Sequence, residues 1–125
     1  MAVRVFVDLF MSEPRLAEEQ ALELAEIFRM LGDPNRLRIA VVCLGEPLCV
    51  SDIAEEVRLS PALVSHHLRV LQAARFLAAR KRGKQVFYAA ADDRVRCVIR
   101  DMVGHVADVR DIAEPEAEER KTGRC

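Results

Sequence analysis

Only two residues, Arg58 and Leu59, separate a short segment headed by Ser51 and Asp52 from a Ser60-Pro61 pair, and this spacing constrains the chain more than any other feature. A serine at a helix cap accepts a backbone N–H, and a proline in the first helical position sacrifices no hydrogen bond by lacking its own. A helix must therefore begin at Ser60 almost where another, Asp52–Val57, stops. Two modest helices joined by so tight a turn form a helix-turn-helix. Ser51 is expected to cap the first of them, with Asp52, Glu55 and Glu56 near its positive end. The second is expected to run to about Ala74.

The flanking sequence extends the pattern. Asp33-Pro34 is another cap-plus-proline start, for a helix to about Leu44 that ends at Gly45. Before it, Leu24, Ile27, Phe28 and Leu31 recur at i, i+3, i+4 and i+7, which predicts a helix over Pro14–Leu31 stopped by Gly32. Pro47 to Val50 reads as short and extended. After the helix-turn-helix, Phe76–Arg82 and Gln85–Ala90 read as two strands around Gly83-Lys84, whose glycine suits a hairpin turn with positive φ. A last helix starts near Asp92-Asp93, with Val95, Val98, Ile99, Met102, Val103, Val106 and Val109 on one face. The expected class is mainly α with a small β-hairpin wing (α+β), a winged helix-turn-helix over residues 14–112. Residues 1–13 form an N-terminal extension, and the Glu-, Lys- and Arg-rich residues 113–125 a disordered tail.

With 125 residues the chain is long enough for one domain and one core. Its 51% hydrophobic content supports folding, and 5% aromatics require an aliphatic core. No apolar run is long enough to span a bilayer. Residues Met1 to Phe10 carry Arg4 and Asp8 and lack a small-residue cleavage site, so they do not read as a signal peptide. Val3, Val5, Val7 and Leu9 alternate as in a short strand, while Met11 offers an alternative start that would leave the first ten residues without a structural role. Cys43, Cys49, Cys97 and Cys125 show no CxxC spacing, as expected of a cytoplasmic protein without a disulfide framework.

The net charge of −1 does not point to a nucleic-acid partner, but its distribution does. From Arg58 to Ala91 there is no Asp or Glu, while Arg58, Arg69, Arg75, Arg80, Lys81, Arg82 and Lys84 all fall there. A near-neutral chain with one basic segment binds phosphate locally. A helix that reads the major groove presents its N-terminal residues to base edges. Ser60, Pro61, Ala62, Ser65 and His66 occupy that end, Val64, Leu68 and Leu71 face the opposite way, and Arg69 and Arg75 lie further along, where they can reach phosphates. Arg80, Lys81, Arg82 and Lys84 at the wing tip are suited to phosphates, which dominate affinity while base contacts discriminate. A plain surface helix and a solvated hairpin tip would account for either fragment alone. Their occurrence together and in this order points to a DNA-binding regulator.

The run LCVSDIAEEVRLSPALVSHHLRVLQAARFLAARKRGKQVFYAAAD, with LGDPNRLRI upstream, resembles the ArsR/SmtB family of bacterial repressors. That family carries LCV-x-DLA before the turn, VSHHLR or VSHQLR on the reading helix, a G-[RK]-x-V-x-Y wing and LADPTRLRI upstream. The resemblance covers about Leu24 to Asp108. It implies a homodimer paired through the first and last helices. It further implies repression of a double-stranded DNA operator, which is released on binding a metal ion or on thiol chemistry. The apolar faces of Pro14–Leu31 and Asp92–Ile112 suit such an interface, although burial within one subunit would use the same pattern.

The resemblance places one sensing site between the last helices of two subunits, where an Asp-x-His at the helix start meets a His-x-x-[Glu/His] from the partner; it falls on Asp92, Arg94, His105 and Asp108. Three of these suit a tetrahedral ion such as zinc, with cadmium or nickel as alternatives. Arg94 cannot ligate, and Asp93 or Cys97 would have to substitute. At helical spacing, Arg94, Cys97, Asp101, His105 and Asp108 also share a polar stripe, where Cys97, Asp101 and His105 offer a thiolate-containing set. The plain alternative is a solvated face with Arg–Asp pairs. A second family site, Cys-Val-Cys, falls on Cys49-Val50-Ser51 and is incomplete.

Cys43 reads as a small core residue. His67 reads as a packing residue or a phosphate contact. Cys125 reads as an incidental thiol or a ligand from outside the fold. The leading expectation is a metal-responsive repressor. A thiol switch at Cys49 or Cys97 is the second and requires an exposed, low-pKa cysteine. A winged-helix architectural or interaction module without an inducer is the third. No phosphate loop, nucleophile motif or complete metal-water site suggests an enzyme.

Overall fold

The computed structural model describes residues 15–111, with side chains to residue 108. The expected alternation at Val3 to Leu9 and the tail over 113–125 lie outside the described residues. Among the described residues, five helices and three strands follow one another as α1 (Glu18–Leu31), α2 (Pro34–Val42), β1 (Leu48–Cys49), α3 (Val50–Val57), α4 (Pro61–Ala73), β2 (Leu77–Arg82), β3 (Gln85–Ala90) and α5 (Asp93–Asp111).

The two cap-plus-proline starts form as expected. The Asp33 carboxylate accepts the backbone N–H groups of Asn35 and Arg36 at 2.9 and 3.1 Å. Those bonds, the one from Arg36 foremost, hold the Asp33 carboxyl below the usual carboxylate range. Ser60 Oγ accepts the N–H of Leu63 at 3.2 Å. Other boundaries differ from the sequence expectation. Helix α1 begins at Glu18 rather than Pro14, where Gln20 Oε1 accepts the N–H of Ala17 at 3.0 Å. Helix α2 ends at Val42, two residues early. Helix α3 begins at Val50, so Ser51 lies inside its first turn and Cys49 occupies the cap position. The reason is β1: Cys49 must stay extended to pair with a strand, and the helix starts as soon as that pairing ends.

The sheet has the order β1-β3-β2, all antiparallel. Leu48 pairs with Tyr88 and Cys49 with Phe87, so the wing is anchored to the entrance of the helix-turn-helix. Gly83 turns the hairpin with φ of 61°. The core is aliphatic: Ile39, Ile53, Val57, Val64, Leu68, Leu71 and Leu77 are fully buried between α2, α3, α4 and β2. Cys43 is buried with them, as expected, and burial pushes its thiol up to about 12. Two arginines brace the core edges by donating to helix-end carbonyls, Arg38 to Val57 at 3.0 Å and Arg96 to Leu44 at 2.9 Å.

The two terminal helices behave differently. Of the apolar face of α5, Ile99 is buried, whereas Val98, Met102, Val103 and Val106 are about half exposed. On α1, Leu22, Leu24 and Phe28 also face outward, Phe28 by 60%. Among the described residues, these side chains are not buried within one subunit.

Candidate nucleic-acid interface

Helix α4 buries Val64, His67, Leu68 and Leu71. That i, i+3, i+4, i+7 stripe fixes its rotation. The opposite face consequently presents Ala62, His66 and Arg69, with Pro61 exposed at the first turn and Ser65 half-buried at the edge. Ser60, exposed itself, has its hydroxyl occupied as the cap acceptor for Leu63. Gln72, three residues beyond Arg69, is exposed on the same side and was not singled out from the sequence, although i, i+3 spacing from Arg69 is its signal.

His67 is resolved as a packing residue rather than a phosphate contact. It is 5% exposed, and its Nδ1 accepts a hydrogen bond from Arg36 Nε at 3.3 Å. The neighbouring His66 ring tilts against it with centroids 5.6 Å apart.

The wing projects Arg80, Lys81, Arg82 and Lys84, all exposed. Arg80 lies opposite Phe87, Lys81 opposite Val86 and Arg82 opposite Gln85. Side chains alternate across a strand, so Arg80 and Arg82 share one face and Lys81 takes the other. The Arg82 guanidinium lies 6.0 Å from the Phe87 ring centroid, at the outer reach of a cation–π contact. Among the described residues, none of these cations is held in an ion pair; the pairs present are Glu26–Arg29 and Asp93–Arg96.

Two arginines hold left-handed backbone, each with φ of 58°. Arg58 ends α3 inside the turn before Ser60, is exposed, and makes no ion pair among the described residues. A run of basic residues flags it in the sequence, but its backbone does not show there. Arg75, expected to reach phosphate, instead lines a groove of about 680 Å³ between α1 and the end of α4, together with Glu23 and Glu26.

The residues named for sensing are spread along α5. Asp92 caps the helix, its Oδ1 accepting the N–H of Val95 at 2.9 Å. Asp93, Arg94, Cys97 and Asp101 line a shallow depression near the start of the helix, with Arg94 and Asp101 exposed and Cys97 half-buried. His105 is exposed two turns later, with Asp108 half-buried beyond it. Among the described residues, no three His, Cys, Asp or Glu side chains of one chain gather as metal ligands. Cys49 is buried, its sulfur 3.1 Å from Asp52 Oδ2 and 3.2 Å from Ser51 Oγ, so the exposure required of a thiol switch is not met there.

A sequence profile described as bacterial regulatory protein, arsR family, matches residues 33–78, from the cap of α2 into β2. Over 90 residues the chain is 37% identical to the transcriptional repressor SmtB homolog of Synechocystis sp., covering 72% of this chain and 68% of that one. It is 36% identical over 98 residues to the cadmium resistance transcriptional regulatory protein CadC homolog of Staphylococcus aureus, covering 78% and 81%. The chain belongs to the ArsR family. As an ArsR-family protein it is a DNA-binding transcriptional repressor, and its family and relatives are regulators rather than enzymes. The winged helix-turn-helix is shared with the homodimeric DNA-binding domain Mb0332 of Mycobacterium bovis, at a TM-score of 0.66 and 22% identity, over 86% of this chain and 99% of that one. Among the described residues, no helix is long and apolar enough to cross a membrane.

Proposed function

We propose that this ArsR-family chain acts as a homodimer that holds a double-stranded DNA operator through α4 and the wing, and releases it on binding a divalent cation. The observation carrying the DNA half is the rotation of α4. Burial of Val64, His67, Leu68 and Leu71 leaves Ala62, His66 and Arg69 facing outward, with Ser65 at the edge, beside an acid-free basic wing. In this reading Pro61 and Ala62 enter the major groove and Ser65 and His66 contact base edges. Ser60 fixes the helix start, and Arg69, Arg80, Lys81, Arg82, Lys84 and Arg58 contact phosphates. Dimerisation is supported by the outward apolar faces of α1 and α5, which water would otherwise wet.

The cation would be held at α5. Asp92 and His105 are thirteen residues apart, roughly 20 Å along a helix, so one chain cannot bring both to one ion. His105 and Asp108, one turn apart, would form half of the site, and Asp92 of a second copy the other half. Oxygen and nitrogen donors suit zinc, cadmium or nickel, and the exposed Arg94 lowers the affinity expected of a full ligand set. Asp101, on the same stripe, is the secondary ligand choice. The cadmium resistance role carried in the name of the Staphylococcus aureus relative supports a metal inducer. The test is selection of a preferred duplex from random DNA by the intact protein. Binding to it and to random DNA is then measured with and without Zn(II), Cd(II) and Ni(II). Equal affinity for both duplexes would remove the repressor-operator reading, and indifference to all three ions would remove the metal.

A further inference from the structure

Among the described residues, His67 is the one buried polar side chain, and it sits on the back of the helix whose front faces DNA. Its Nδ1 accepts from Arg36 Nε at 3.3 Å, so in this arrangement its own ring proton resides on Nε2 and the imidazole is neutral. The same guanidinium donates through Nη1 to the carbonyl of Met30 at 3.1 Å, in the last turn of α1. Arg36 is itself fixed at the start of α2 by the Asp33 cap, which accepts its backbone N–H. One side chain on α2 thus ties the reading helix α4 to the end of α1. Burial drives His67 below its ordinary range, Arg36 and His66 add to that, and Asp33 opposes it. These three are the charged or titratable groups acting on the ring; from α1 the tie contributes the neutral Met30 carbonyl.

We propose that Arg36 and His67 form a positioning pair that sets the pose of α4, and that a proton on His67 Nδ1 breaks it and weakens operator discrimination. Protonation removes the lone pair that Arg36 uses and places a second positive charge beside the guanidinium. Arg36 must then withdraw or α4 must shift, and either change moves Ser65 and His66 on the opposite face. This inference rests on the reading of α4 as the base-contacting helix.

A proton on His67 lowers the preference for the selected duplex over random DNA.

The experiment compares binding of the full chain to the selected duplex and to random DNA, by fluorescence anisotropy, from about pH 8 down to about pH 5.5, a window bracketing histidine titration. Wild type is expected to lose preference for the selected duplex as the pH falls. His67→Leu leaves Arg36 without an acceptor, and its preference should be about tenfold lower across the whole range. His67→Gln restores an acceptor that does not titrate, so it should recover most of that preference with a flat profile. Arg36→Met, which leaves the ring in place, should match His67→Leu and covers the case in which His67→Leu fails to fold, as judged by circular dichroism. An acid-side loss that survives in His67→Gln, or full discrimination by Arg36→Met near pH 8, would overturn the pair. Absence of any preference in wild type at every pH would instead defeat the base-contact reading of α4, and this inference with it.

Discussion

The Cys49 thiol donates to Asp52 Oδ2 at 3.1 Å, across the first turn of α3. The same residue pairs with Phe87 of the wing, so its thiol faces inward at the junction of β1, α3 and β3. Thiol chemistry needs an exposed thiolate, and neither this cysteine nor the deeply buried Cys43 offers one. In the native protein at neutral pH, iodoacetamide should leave Cys43 and Cys49 unmodified over a time that fully labels the urea-unfolded chain, as read by peptide mass spectrometry. Rapid native labelling of Cys49 would revive a thiol switch at that position.

Arg82 combines a charge with a packing role, lying 6.0 Å from the centre of the Phe87 ring at the outermost rung of the hairpin. Arg82→Ala should weaken binding to selected and random DNA alike. If each subunit loses one phosphate contact, the slope of log K against log salt should flatten by about 0.9 per subunit. His66→Ala or Ser65→Ala should instead cost about 1–3 kcal/mol of discrimination per lost base contact. Equal losses on both duplexes for those two helix residues would refute their assignment to base edges.

Arg58 holds φ of 58° where glycine would be unstrained. Left-handed backbone costs an L-residue about 1–2 kcal/mol, and a cation at a helix C-terminus returns about 0.3–1 kcal/mol. Arg58→Gly should therefore unfold in urea no earlier than wild type, gaining up to about 1 kcal/mol, while binding DNA more weakly with a flatter salt dependence. A variant that binds DNA as tightly as wild type would show that this arginine makes no phosphate contact.

Burial of His67 also makes the fold itself sensitive to acid. Its folded-state affinity for a proton is depressed below the ordinary 6.5, so the unfolded chain takes the proton first. The contribution is fully present above that ordinary value and is lost as the pH falls below it. Urea midpoints of wild type should decline across this window more steeply than those of His67→Gln. Asp33, also depressed, adds its loss only near and below its ordinary 3.8, which separates the two contributions.

Much of this was legible because caps, prolines and glycines act locally. Asp33-Pro34, Ser60-Pro61 and Gly83 form in the structure the starts and the turn that their chemistry predicts. The reading helix was legible as well, since a helical period fixes its buried face. What was not legible depends on partners distant in sequence. The pairing of Cys49 with Phe87 moves the start of α3, and the bond from Arg36 to His67 spans thirty-one residues. The left-handed backbone at Arg58 and Arg75 had no glycine or asparagine to announce it. Any ligand set on α5 is readable only through the family resemblance, since a shared site needs a second copy and periodicity within one helix cannot report contacts between two.

That symmetry gives the sharpest prediction. If each ion takes Asp92 from one subunit and His105 with Asp108 from the other, Asp92→Ala and His105→Ala homodimers both damage both of their sites. In a mixed dimer of the two variants the defects fall together on one site and leave the other whole. Mixed dimers, formed by co-refolding with distinguishable tags, should bind one zinc or cadmium per dimer with wild-type affinity, by calorimetry. Each parent homodimer should bind at least tenfold more weakly, in the range found when supporting metal-site groups are removed. DNA release by the metal should return in the mixed dimer and be absent from both parents, with DNA binding itself intact. Mixing that restores nothing would place any metal site elsewhere than across paired α5 helices.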